Sequence, residues 1–331
     1  MPTLRALIAA AVLVFLAPHA GAGPSGSPNY RLETVHVPAA AFGGLARDGD
    51  ALLVTDLAGG RLYRRDAERR LAAFGPIFPH GKDVIGDPTG PYRVARVGDV
   101  FVVAQGWTPA NAEPGRLDHA LVALDEAGGT RVVGNDFWNP FDFVAAADGF
   151  YVVDAARNSV EHLRANGERN TVVSFKRMKQ AARTLQRLSP TEFSEDEEYE
   201  TDAVPAGIAR RDGRLYITLF SGFPFAAGAG KVVSVPETGD RSAPRVEAQG
   251  LNAPVAITFA DDGTMLVLEH GTYDQSRGFG EGTGRLLKFD GKTRRRETVL
   301  AGLTRPVSVL VWDERQLVVS DLVGNLHFLK R

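Results

Sequence analysis

The sequence predicts an all-β chain folded as a six-bladed β-propeller with four-stranded antiparallel blades, and three observations predict it. A Pro opens a short apolar run at Pro91, Pro140, Pro205, Pro254 and Pro306, and a second apolar run closes fourteen or fifteen residues later, at Gln105, Asp154, Leu219, Glu269 and Asp321. A turn signal separates the paired runs: Asp48-Gly49, Gly98-Asp99, Asp148-Gly149, Asp212-Gly213, Asp262-Gly263 and Asp313-Glu314. Asp-Gly between apolar runs is a hairpin signal. Counting LLVTD at Asp56 as another copy, the run ends fall 49 to 52 residues apart, with one gap of 65. Self-similarity at that period marks a repeat architecture, and short strands repeated radially make a propeller.

Ahead of the first unit, Arg5, the apolar run Ala6 to Leu16 and the small residues Ala20-Gly21-Ala22 predict a signal peptide over 1–22. The mature chain is expected to start at Gly23 and to be exported, to a periplasm or out of the cell. The apolar run is shorter than the roughly 20 residues a membrane-spanning helix needs. No second such run follows, so no membrane span is expected after cleavage.

Unit one opens with Phe42-Gly43-Gly44-Leu45-Ala46-Arg47-Asp48-Gly49, which parallels Pro205 to Gly213 with Phe42 in place of Pro. Third strands follow from Arg61 (RLYRR), Ala120 (ALVAL), Ser159 (SVEHL), Lys231 (KVVSV), Arg285 (RLLKF) and Asn325 (NLHFL). Five units then show a fourth strand: RLAAF, TRVVG, NTVVS, RVEAQ and ETVLA. The sixth unit ends at Arg331 after three. Glu33-Thr34-Val35 matches Glu297-Thr298-Val299, so the N-terminal strand is expected to close the last blade. One propeller domain, 23–331, results. The long gap places an insertion at about 175–202, where Lys176 to Leu188 predicts a basic helix and Pro190 to Asp202 an acidic linker.

The chain has no cysteine, which excludes disulfides, iron–sulfur clusters, covalently attached haem c and thiolate zinc sites. Net charge is −2 with both signs scattered. No basic stripe points to nucleic acid. No G-x-S-x-G elbow or H-E-x-x-H helix occurs.

Three stretches, Trp138 to Val160, Val204 to Phe225 and Gly250 to Gly271, resemble the ScyD/ScyE family. These are exported six-bladed, NHL-repeat-like propellers, named after proteins encoded with the pigment scytonemin. Gly222-Phe223-Pro224-Phe225 carries the most specific part of the likeness. The resemblance covers units three to six well and the first two through the repeat. It implies the fold and export and carries over no catalytic residues; membership does not imply pigment synthesis, and the expected role is accessory to secondary-metabolite or envelope processes. Leu219 departs from the acidic residue or Gln105 that ends the other second strands.

In an antiparallel four-stranded blade, the second-to-third and blade-to-blade connections emerge on one face. The long second-to-third loops of units two, four and five place Trp107, His119, Phe223, Phe225, His270, Tyr273, Arg277 and Phe279 there. Blade-to-blade residues add Asp87, Asn139, Asp202, Asn252 and Thr304. Long loops on a rigid scaffold are where sites are built. The candidate ligand contacts are therefore Trp107, Asn139, Phe223, Phe225, Glu269, His270, Tyr273 and Arg277. The alternative is that the aromatics fold down and plug the channel.

Asp56, Asp154, Glu269 and Asp321 end second strands, too far from the axis to share one ion, because strands lie about 4.8 Å apart. A local role, accepting hydrogen bonds from turn amides, is expected of them. His162 and His327 lie in strands and read as structural. No cofactor is evident. A calcium ion would need residues such as Asn139, Asp142, Asp202 or Asn252. The functional expectation is a binding or scaffold propeller holding a small aromatic or glycan-like molecule, or a partner protein, on the loop-rich face. The alternative is an enzyme, either a metal-dependent lactonase or esterase or a quinone-dependent dehydrogenase.

Overall fold

A computed structural model describes residues 23–83, 85–106, 117–185, 194, 196–291, 293 and 295–331; the predicted signal peptide and Trp107 lie outside them. The described chain forms six four-stranded antiparallel blades. Blade one runs outward from the axis through Phe42–Asp48, Ala51–Asp56, Arg61–Arg65 and Leu71–Phe74. In blade six the strands Pro306–Asp313, Gln316–Asp321 and Asn325–Lys330 are completed by Arg31–His36, which pairs with Asn325–Lys330 in antiparallel register. A further short N-terminal strand, Ser25–Gly26, extends the outer edge of blade five.

The burial pattern explains why these strands are so apolar. The second strands Ala51–Asp56, Gly149–Asp154, Arg214–Leu219 and Gln316–Asp321 are buried at every position after the first. A blade is covered on both faces by its neighbours, so its middle strands show no polar face. One hydrophobic cluster fills each of the six blade interfaces. Leu53, Leu62, Val94 and Phe101 join blades one and two, and Phe42, Val54, Val318 and Phe328 join one and six across the closure.

Near the axis the innermost strands nearly touch. A Cβ on Gly207 would lie 2.7 Å from the Ala256 Cα, and one on Gly44 would lie 2.8 Å from the Arg93 Cα. Glycine is required at both positions by this close approach. The Ile208 amide donates to Asp142 Oδ2 at 3.1 Å, and the Leu45 amide to Ser308 Oγ at 3.3 Å, lacing adjacent blades together.

The insertion differs from the expected basic helix and acidic linker. Met178–Ala181 pairs with Glu198–Thr201 as a two-stranded hairpin, and Ala182–Thr184 makes one 3-10 turn; residues 186–193 and 195 lie outside the described chain. Lys179 Nζ reaches Glu198 at 3.1 Å, and Thr184 Oγ1 and the Tyr199 hydroxyl lie 3.0 Å apart. The basic and acidic arms thus neutralise each other across strands. Met178 buries its side chain against blades three and four, an anchor that a solvated helix would forgo. Among the described residues no helix is long and apolar enough to cross a membrane.

Candidate functional site

The strand-end carboxylates act locally, as their distance from the axis requires. Asp154 accepts the amides of Trp138 and Asn139, both at 2.8 Å, and Asp56 accepts those of Ala41 at 2.9 Å and Ala58 at 3.1 Å. Glu269 accepts the Asn252 amide at 2.9 Å and Arg285 Nε at 2.7 Å. These three carboxylates brace the loop that leads into the innermost strand of their blade, whereas Asp321 accepts the Val323 and Asn325 amides of the turn that follows it, at 3.1 and 2.9 Å. In blade two Gln105 braces the entry loop as a donor, to the Pro79 carbonyl at 2.9 Å. Leu219 cannot, and there Asn158 Oδ1 of the neighbouring blade accepts the Val204 amide at 2.8 Å. His327, fully buried, approaches Asp321 Oδ2 at 2.9 Å and Thr34 Oγ1 at 3.0 Å, tying in the closing strand. His162 approaches Asp148 at 2.9 Å.

The four calcium candidates are not brought together. Asp142 is half-buried at the axis with Arg93 Nε at 3.3 Å, and desolvation raises its carboxyl against the pull of Arg93 and two amides. Asp202 pairs with Arg177 at 3.3 Å, and Asn252 Oδ1 accepts the Gly228 amide at 2.9 Å. The Asn139 amide is held by Asp154. A guanidinium at the axis beside Asp142 does not fit a cation there. Among the described residues no group of three His, Asp or Glu side chains converges on a metal position.

The aromatic residues of the two described long loops pack on one another. Phe225 lies 5.0 Å from Tyr273 and 5.3 Å from Phe279 between ring centroids, and Phe220 lies 5.7 Å from both Phe225 and His270. Edge-to-face and tilted pairs at these distances are favourable beyond their burial. Phe223 stands at the outer rim, 56% exposed, and Arg277 is exposed at the tip of the blade-five hairpin. The channel is filled instead by Tyr92 and Phe141, whose rings lie 4.7 Å apart. Neither Tyr92 nor Phe141 stood out in the sequence.

Above that plug lies a mouth pocket of about 110 Å³. Its apolar wall includes Leu57, Phe141, Phe220 and Val255, and its polar groups are Asp83, Asp87, Tyr92 and His270. Arg305 donates to Asp87 Oδ1. Asp83 Oδ1 takes the amides of Ile85 and Asp87 at 2.9 and 2.8 Å. Burial raises both carboxyls, which Arg305 opposes. His270 is buried, with Nδ1 2.9 Å from the Pro306 carbonyl, and so carries its proton there. Desolvation lowers its pKa to about 4, leaving Nε2 a bare acceptor at neutral pH.

Of the sequence-derived candidates, His270 lines this pocket. Phe225, Tyr273 and Phe279 support it from behind, and Glu269 faces Arg285 instead. Thr304 accepts the Gly282 amide at 3.0 Å, so it and Asn252 join neighbouring loops. His119 approaches the Trp138 carbonyl at 3.0 Å. Asp83 and Arg305 carry no local pattern; Arg305 meets Asp87 only because blade-to-blade loops distant in sequence converge at the axis.

No family model matches the chain, and no curated protein matches it. Solved structures do. A gluconolactonase from Xanthomonas campestris aligns with a TM-score of 0.60 at 15% identity, over 92% of this chain and 90% of that one. The PQQ-bound aldose sugar dehydrogenase from Streptomyces coelicolor gives 0.57 at 15% identity, over 92% and 99%. A streptogramin B lyase gives 0.54 at 13% identity, over 91% and 98%. At such identities the likeness shows the fold, and the chain is a six-bladed β-propeller.

Proposed function

We propose that this protein is an exported binding propeller of the ScyD/ScyE kind, holding a small hydroxyl-rich molecule at the mouth of its channel. The observation that carries this reading is an excess of spare acceptors on an apolar wall. Asp83 Oδ2, Asp87 Oδ2 and His270 Nε2 have no hydrogen-bond partner among the described residues, against one spare donor on the lining, the Tyr92 hydroxyl. Such a pocket suits a ligand rich in donors with a C–H face to lay on Phe220 and Phe141. Sugar-like molecules have that chemistry, and two propellers of similar fold are named for sugar-derived substrates. The pocket falls below the roughly 300–1,000 Å³ of drug-sized sites, so its described walls admit one end of a ligand and do not fit a three-ring quinone.

Titration of monosaccharides, cyclitols and sugar lactones by calorimetry tests the reading. A saturable ligand is expected whose affinity falls at least about tenfold, or 1.4 kcal/mol, in Asp83→Asn and in Phe220→Leu. Affinity unchanged in both variants removes the mouth as the site.

His270 favours a second reading, in which the bound molecule is turned over. A neutral ring with its tautomer set by Pro306 can accept a proton from a water attacking a lactone carbonyl. Hydrolysis of sugar lactones by the wild type, lost in His270→Gln with binding kept, would support it. Binding without turnover in the wild type leaves the first reading alone.

A further inference from the structure

At the opposite end of the ring, the seam between blades six and one holds an open pocket of about 200 Å³. Its polar inventory is the reverse of the mouth's. Arg65 ends the third strand of blade one with its guanidinium over the Phe328 ring, 4.6 Å from the centroid. It makes no hydrogen bond or ion pair with a described residue. Trp312 and Gln316 line the same pocket, and neither the indole N–H nor the Gln316 side-chain amide hydrogen-bonds a described residue, while Arg47 lies over the Trp312 ring 4.9 Å from its centroid. Three carboxylates also line it, and each has a cation. Glu33 takes Arg69 at 2.9 Å on one oxygen and Lys330 at 3.2 Å on the other. Asp66 takes Arg70 Nε at 2.8 Å, and Asp50 lies 3.8 Å from Arg47.

We propose that this seam pocket is a second binding site, for a small carboxylate or a singly charged phosphate, with Arg65 as its anchor. A guanidinium presents a planar fork of N–H donors that matches two oxygens of either group. Stacking on Phe328 sets the plane of that fork in advance, so less side-chain freedom is lost on binding. The indole N–H and the Gln316 amide can satisfy the remaining oxygen lone pairs. The nearby carboxylates, though paired, disfavour a doubly charged anion. The pocket is lined from both sides of the closure, by Arg65 of blade one and by Trp312 and Lys330 of blade six. An occupant therefore bridges the seam, and binding to the native state alone raises stability by mass action.

Acetate and inorganic phosphate, titrated separately into the chain from Gly23 by calorimetry and by NMR of the Trp312 indole, provide the test. The two arms distinguish a carboxylate site from a phosphate site. Saturable binding of at least one probe, with a shift of the indole N–H resonance, is the expected result. Affinity should fall at least about tenfold in Arg65→Gln and about threefold in Trp312→Phe, and should stay unchanged in Arg305→Gln at the mouth. No saturable binding of either probe, or wild-type affinity in Arg65→Gln, overturns the proposal. Should Arg65→Gln fail to fold, unchanged affinity in both Trp312→Phe and Gln316→Ala overturns it equally.

Discussion

His270 shows how far one side chain can depart from its solution chemistry. Its ordinary value is 6.5, and burial lowers this to about 4 in the native state. As pH falls, the unfolded chain takes up that proton first. The stability contributed above pH 6.5 is therefore lost between 6.5 and 4, by about 3 kcal/mol. Urea unfolding across that window should show the loss in the wild type and a shallower slope in His270→Gln; equal slopes would mean that the ring is not desolvated. Asp83, Asp87 and Asp142 act in the opposite sense. Burial raises their carboxyls, so ionising them as pH rises costs the native state. Glu269, next in sequence to His270, turns away to Arg285 at 2.7 Å. Adjacent strand residues point to opposite faces, and here that alternation separates a structural group from a pocket group.

At the scale of elements, the Gly222 to Phe225 turn and the blade-five hairpin form one aromatic unit. Phe225 sits within it, and Phe223 at its edge is more than half exposed. Phe225→Ala should lower stability by about 2–3 kcal/mol and Phe223→Ala by less than about 1 kcal/mol, since the cost follows burial. Thermal unfolding of the pair checks the order; equal losses would place Phe223 in the packed unit. The strand-end carboxylates are elements of the repeat as much as Pro or Asp-Gly. Asp154→Ala leaves the Trp138 and Asn139 amides without their acceptor, a loss of about 2–4 kcal/mol expected in denaturant titration. A loss near zero would mean that water replaces the carboxylate. The insertion was the least legible element. Its basic stretch fits a helix considered alone, and only the opposing acidic arm at Glu198–Thr201 makes Met178–Ala181 a strand.

For the whole molecule, the ring is held by six similar interfaces, one of which depends on the N-terminal strand. Thr34 with His327, and Glu33 with Lys330 and Arg69, reinforce that closure. Removal of residues 23–36 should expose the edge of Asn325–Lys330 and give a chain that associates or unfolds at least 10 °C earlier, by an order-of-magnitude expectation for losing a closing strand. Size-exclusion chromatography and circular dichroism read both outcomes, and a stable monomer with unchanged melting would refute a closing role. The sequence by itself determined the blade number, the strand order within a blade and the closing strand. Those features rest on local signals, Pro, Asp-Gly and apolar runs, whose spacing repeats along the chain. It also determined which face bears the long loops. Only the tertiary structure decided that Tyr92 and Phe141 fill the axis, that Arg93 faces Asp142, and that Asp83, Asp87, His270 and Arg305 share one mouth. Those groups come from separate blades, and their meeting depends on how the ring closes in space, which no spacing along the chain encodes.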